Sequence, residues 1–331
     1  MSLIIADTLS EKGHFNFNSK LLSWLIKNNF DIKGFFSESY SSEVKSELKT
    51  KTFNNKYISK KNMVLYILLQ CILHFKIISY AKEDKGKVIL LAYEIYSFSI
   101  MSYIYRLYGI DICVIEHNTV PTKEMKIKKI IYSLISNKVN HLCLEKYISK
   151  YIDSVFNKKT NYFNHPILIE TKENLYDFSG INKEVGYFFM PSSTVKSITA
   201  DSIIKVFIDN NKQQLIMKNI GSQNARNIIK KDYFDNYYLY LENAIGIILP
   251  QDFSYRVSGV FYESLAYANK VYMTRCIMSS KMKEKYPNKV VIFDNFSDVL
   301  DIPIDICEGI DVVNYNSQCE KQFMAAINDF Y

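Results

Sequence analysis

Short β-type runs alternate with amphipathic stretches along this chain, and the alternation starts twice. That pattern describes parallel sheets covered by helices. The first series has strand-like runs at Leu3–Ala6, Ile32–Phe36, Val88–Ala92, Ile112–Ile115 and His141–Leu144. Between them lie helical periods at Asn16–Asn29, up to Tyr105 and at Lys123–Ser136, with Leu21, Leu22, Leu25 and Ile26 on one face of the earliest. The segment Asn164–Asn182 is polar, contains Asn164-His165-Pro166 and has little period, so it reads as a linker. The second series then begins, with strands at Val185–Met190, Gln214–Met217, Ala244–Leu249, Lys270–Met273 and Val290–Phe293. Helices are expected at Ser197–Asp209, Phe234–Asn243, Gly259–Tyr267 and Cys319–Phe330. The fold class is α/β, with two Rossmann-like domains facing a central cleft. The expected boundaries are 1–165, 183–312 and a terminal helix, 313–331, packing back on the first domain.

The length of 331 residues and a hydrophobic share of 48% supply two cores and exclude a disordered chain. The net charge of +7 favours an anionic partner. Nucleic acid is not the expected one, because the basic residues interleave with apolar helix positions and form no recognition motif. None of the six cysteines forms a Cys-x-x-Cys pair, which predicts a reducing compartment without structural zinc. No signal peptide is legible at the N-terminus. The apolar stretch Met63–Phe75, flanked by Lys60, Lys61 and Lys76, reads as a buried or interfacial helix.

The residues with the most chemistry in them lie at 250–267. There an apolar strand runs into Pro250-Gln251-Asp252-Phe253-Ser254-Tyr255-Arg256-Val257-Ser258-Gly259 and then into a helix carrying Glu263. Open α/β sheets bind ligands at the carboxyl ends of their strands. Ser258 is placed to cap the helix, Gly259 permits close backbone approach, and the free amides of a helix start attract a diphosphate. Arg256 adds a delocalised charge, and Glu263, one turn in, can accept from ribose hydroxyls. Ser193 and Lys218 follow two other strands of the same domain and are expected at the same edge. In the first domain Gly13 and His14 lie in the loop after the first strand, with His14 a candidate general base. Glu116 and His117 end a buried strand, where a carboxylate beside an imidazole would orient it.

The run Tyr262-Glu263-Ser264-Leu265-Ala266-Tyr267-Ala268-Asn269 resembles the nucleotide-sugar loop of GT-B glycosyltransferases of the family 4 and family 1 type, which build bacterial O-antigens and capsules. Asn269 stands where such helices usually end in Gly, and a left-handed cap is expected there. Many retaining members carry a second Glu eight positions earlier; here that position is Tyr255, so stereochemistry is not implied. The resemblance implies sugar transfer from a nucleotide sugar, UDP- or GDP-linked, to a polyprenyl-diphosphate-linked oligosaccharide. It also implies a Gly-containing N-terminal loop against donor and acceptor, and a donor site built from Gly13, Ser193, Lys218, Tyr255, Arg256, Ser258, Gly259 and Glu263. No cofactor is expected, and no Asp-x-Asp motif is available for a metal. Alternatives on the same fold are a sugar-nucleotide epimerase and an inactive glycan- or nucleotide-binding partner subunit. Two basic amphipathic stretches, Lys123–Ile135 and the segment after Lys60 and Lys61, lead to an expected cytoplasmic enzyme, peripheral on the inner face of a bacterial inner membrane.

Overall fold

The computed structural model describes residues 2–9, 14–41, 48–58, 62–168, 186–301 and 309–331. The Gly13 loop, Lys60, Lys61, Cys307 and most of the 164–182 segment lie outside them. The chain divides into two compact units: Met1–Pro166 with Ser317–Tyr331, and Ile167–Asn316.

In the first unit the described elements run β1 (Leu3–Asp7), α1 (Phe15–Lys27), β2 (Ile32–Ser37), α2 (Glu38–Ser41), β3 (Lys49–Phe53), α3 (Met63–Glu83), β4 (Lys87–Ala92), α4 (Ile95–Leu107), β5 (Ile112–Glu116), α5 (Lys126–Ser133), β6 (Asn140–Cys143), α6 (Lys146–Phe156) and β7 (Thr160–Tyr162). The seven strands are parallel, in the order β3-β2-β1-β4-β5-β6-β7. Connections reverse direction between β1 and β4, which makes that edge the switch point of the sheet. Leu3, Ile4, Ile5 and Ala6 are wholly buried, as a central strand covered on both faces requires. α1 turns Phe17, Leu21, Trp24 and Leu25 inward. Each such buried side chain contributes about 1.5–3 kcal/mol.

The second unit contains β8 (Tyr187–Met190), α7 (Ser197–Asn210), β9 (Gln214–Lys218), β10 (Ile228–Lys231), α8 (Tyr237–Asn243), β11 (Gly246–Leu249), α9 (Gly259–Tyr267), β12 (Val271–Thr274), α10 (Ile277–Lys285), β13 (Val290–Phe293) and α11 (Asp298–Asp301). Its six parallel strands run β10-β9-β8-β11-β12-β13, so the switch point falls between β8 and β11. One core cluster joins Phe188, Ile204, Phe207 and Met217 to Ile248 and Tyr272.

The last helix, α12 (Val312–Phe330), passes from the second unit into the first. Within the first unit Phe323 contacts Trp24 and Phe163, with ring centres 5.7 and 5.1 Å apart. Glu320 accepts hydrogen bonds from Lys27 and Asn28.

Three strands have no counterpart in the sequence expectations: β3, β7 and β10. All three are sheet edges, and β3 reads Lys-Thr-Lys-Thr-Phe with most of its side chains in solvent. Asn269 is a further difference. It does not take the left-handed conformation. The chain leaves α9 through an extended Ala268, whose amide donates to the Ser264 carbonyl at 2.9 Å, and enters β12 directly.

Candidate active site

In the second unit the site is built around the turn from β11 to α9. Ser258 is buried and its hydroxyl accepts from the Phe261 amide, which caps α9 as its residue type requires. Above Gly259 there is open space: a Cβ placed there meets nothing within 4 Å. The Phe261 amide is taken up by Ser258, so an anion at this helix start would meet the Gly259 and Val260 amides, with open space over Gly259.

The loop before the helix is self-braced. Asp252 accepts from the Ser254 amide and hydroxyl at 2.8 and 2.6 Å. Arg256 donates to the Asp252 carbonyl at 3.3 Å and lies over the Phe253 ring at 5.1 Å. Tyr255 is buried within this loop. Gln251, which no sequence motif marks, spans the switch point: its amide donates to the Ser192 hydroxyl at 2.5 Å and the Thr194 hydroxyl at 3.3 Å. The loops after β8 and β11 are thereby joined, and Ser193 is held, exposed, between Ser192 and Thr194.

Glu263 lies on the first full turn of α9, half-buried, and the Tyr237 hydroxyl on α8 donates to its Oε2 at 3.0 Å. Burial first, and then the charge of Glu263, push the Tyr237 phenol well above its ordinary value, so it stays protonated and remains a donor. Lys218 is not brought to Arg256 by any of these contacts. At the end of β9 it donates to the Asp232 carbonyl at 2.7 Å and stands 4.9 Å from the Phe234 ring centre, engaged by the loop after the edge strand β10.

In the first unit the carboxyl ends of β1, β5 and β7 gather three imidazoles. His14 precedes α1 and stacks on His117, with ring centres 4.6 Å apart and planes 14° from parallel. Phe17 packs edge-on to His117 at 4.5 Å and contacts His165 at 4.9 Å. His165, a linker residue by its sequence context, is buried here, and its Nδ1 bonds the Pro166 carbonyl oxygen at 2.7 Å. Burial, and then the nearby His14 and His165, hold His117 well below the usual imidazole range, so it is neutral near pH 7.

Glu116 requires a correction. Its carboxylate does not face His117: Glu116 is the last residue of β5 and His117 lies just beyond the strand, packed on His14 and Phe17. The Glu116 carboxylate is buried, bonded to His141 Nδ1 at 2.6 Å, the Tyr93 hydroxyl at 2.9 Å, the Tyr132 hydroxyl at 2.8 Å and the Thr119 hydroxyl. Burial alone would raise this carboxyl; the bonds from His141, Thr119 and Tyr132 outweigh it and hold the group below its ordinary value.

Among the described residues, no group of three His, Cys, Asp or Glu side chains is placed to hold a metal ion. No disulfide joins two of the described cysteines, and burial pushes the Cys113 thiol up to about 12.

No protein-family model and no characterised protein matches the sequence. Solved structures do match. UDP-N-acetylglucosamine 2-epimerase from Rickettsia bellii superposes with a TM-score of 0.66 at 12% identity, over 100% of this chain and 97% of that one. Arabidopsis thaliana UGT89C1, solved also with UDP and with UDP-L-rhamnose, gives 0.64 at 8% identity, over 99% of both chains. The S. aureus MnaA–UDP structure gives 0.60 at 11% identity, over 97% and 91%. The chain therefore has the GT-B fold, two parallel α/β units shared along their whole length with sugar-nucleotide enzymes of more than one activity.

Proposed function

We propose that the protein transfers a sugar from a nucleotide-sugar donor, UDP- or GDP-linked, to a hydroxyl of a lipid-linked glycan in bacterial surface-polysaccharide synthesis. The observation that carries this reading is the Ser258-capped start of α9, open above Gly259, at the carboxyl edge of β11. In this reading the donor diphosphate lies against those amides and Arg256, which stabilise the charge that grows on the leaving nucleotide. Glu263, its rotamer set by Tyr237, accepts from the ribose hydroxyls. His14 takes the proton of the acceptor hydroxyl. Its stacked neighbour His117 is neutral, so no second cation opposes that transfer. Metal-independent chemistry is part of the proposal, supported by the lack of any Asp-x-Asp sequence for holding a hard cation.

Sugar-nucleotide epimerisation is the second reading, favoured by the likeness to the Rickettsia enzyme. A single experiment separates them. UDP- and GDP-sugars are incubated with and without a lipid-linked acceptor, after a thermal-shift comparison of UDP, GDP, dTDP and CMP. A ligand at 100 times its dissociation constant stabilises by about 2.7 kcal/mol. Acceptor-dependent release of nucleotide supports transfer. A changed sugar with the nucleotide retained and no need for acceptor supports epimerisation. Binding without either reaction supports a glycan- or nucleotide-binding subunit.

A further inference from the structure

The helices α3, α4 and α5 lie side by side on one face of the first sheet. Each buries one stripe and turns another outward. On α3 the outward stripe is Val64, Leu68 and Ile72, four residues apart, with Val64 70% exposed. On α4 it is Ile100, Tyr103 and Leu107, and Leu107 is 79% exposed. At α5 it is Ile127, Ile130 and Leu134, while Tyr132 turns inward to Glu116. Elsewhere among the described residues, exposed large apolar side chains stand apart from this face: Val155, Ile198, Tyr233, Val313 and Tyr331. Such a concentration on one layer is the mark of an interaction surface.

The charges around the face have one dominant sign. Lys76, Lys82, Arg106, Lys123 and Lys126 are exposed, against Glu83 and Glu124. A groove of about 500 Å³ opens where α3 meets the edge strand β3, with Lys76 beside Ile72 and Phe75, and with Lys51 paired to Glu83 at 2.7 Å. Apolar stripes rimmed by lysines match the boundary between acyl chains and anionic headgroups. A second copy of the chain would set these cations against one another.

By length and composition α3 is able to cross a membrane. Its own contacts hold it on the sheet instead. Gln70 donates to the carbonyls of Thr8 and Tyr57, and His74 bonds the Tyr105 hydroxyl. Pulling α3 into a bilayer would leave both side chains without partners in hydrocarbon.

We propose that the α3–α4–α5 face docks this protein flat on an anionic lipid bilayer, with α3 lying in the interface and not spanning it. The test uses the whole protein and flotation with phosphatidylglycerol–phosphatidylcholine vesicles, compared with phosphatidylcholine alone, at low and high salt. Leu68→Gln, Leu107→Gln and Ile130→Gln are combined in one variant; all three sites are exposed, so circular dichroism and Tm should be unchanged. The wild type should float with anionic vesicles at low salt and lose binding at high salt, and the variant should bind about tenfold or more weakly. Three results would overturn the proposal: no flotation at low salt, equal binding to neutral vesicles, or a variant that floats like the wild type. A dimer that the variant dissociates, with no vesicle binding, would assign the face to a second copy. A UDP thermal shift on the same preparation reads the donor site separately, so failure of the docking surface and failure of the proposed activity are distinguishable.

Discussion

The imidazoles of His14 and His117 stack 4.6 Å apart, one leading into the first helix and the other following the strand β5. His14→Ala should lower turnover at saturating donor by about 10²–10⁴-fold, the range for loss of a general base. The dissociation constant for UDP, read by calorimetry, should not change. His117→Phe keeps a ring against His14 and should cost far less. Full turnover in His14→Ala would remove this residue from the mechanism.

Glu116 should behave as part of the core and not of the chemistry. Leaving a buried donor without its hydrogen-bond partner costs about 1–3 kcal/mol. Glu116→Ala should therefore shift the urea midpoint strongly downward, because His141, Tyr93 and Tyr132 lose their shared acceptor. The milder Glu116→Gln should keep most turnover per folded molecule, with folded protein measured by circular dichroism.

Glu263→Ala should weaken donor use without unfolding the protein. Hydrogen bonds to a charged group are worth about 1.5–3 kcal/mol, which is about a 10- to 150-fold loss of kcat/KM for donor. Tyr237→Phe should give a smaller loss in the same parameter, since it frees the Glu263 rotamer and leaves the carboxylate. A double-mutant cycle of the two checks the coupling: additive losses would mean that Tyr237 does not position Glu263.

Ser258 and Gly259 are adjacent but should report different things. Ser258→Ala removes the cap of α9 and should cost about 1 kcal/mol of stability, seen as a lower Tm. Gly259→Ala meets no protein atom within 4 Å and should leave Tm nearly unchanged. A donor diphosphate lying on the α9 amides would meet that methyl, so UDP affinity should fall. Unchanged UDP affinity in Gly259→Ala would place the diphosphate elsewhere.

Acid should destabilise the first unit in a defined window. Burial holds His74 down to about 3 and His165 to about 4, from an ordinary value of 6.5, and His117 also lies well below it. The unfolded chain thus binds more protons than the folded one below 6.5. Stability should be level above that point and fall as pH drops toward about 4, by up to about 1.4 kcal/mol per pH unit for each histidine. Urea unfolding across this range checks the slope, and His74→Leu should make it shallower by one histidine's share.

How much was legible follows from where each residue lies. Central strands such as Leu3–Ala6 and Ala244–Leu249 announce themselves because both faces are buried and the run must be apolar. The edges β3, β7 and β10 pair on one side only and are short, with polar residues mixed into each, so they carry no such apolar run. Helix starts are local, and the Ser258 cap was readable because the hydroxyl and the amide it accepts from are three residues apart. The Glu116 partnership was not, since His141 and Tyr93 come from other elements. Gln251, Tyr237 and His165 were missed for the same reason: their contacts depend on which strands become neighbours.

By itself the sequence determined the α/β class, the two series of strands and helices, and the loop-to-helix turn that ends β11, all of which follow from periodicity and short-range hydrogen bonding. Only the tertiary structure decided which side chains meet: His14 with His117, Tyr237 with Glu263, Glu116 with His141 and away from His117. The physical reason is that strand order sets these contacts. It is a property of long-range pairing, which no local run of residues encodes.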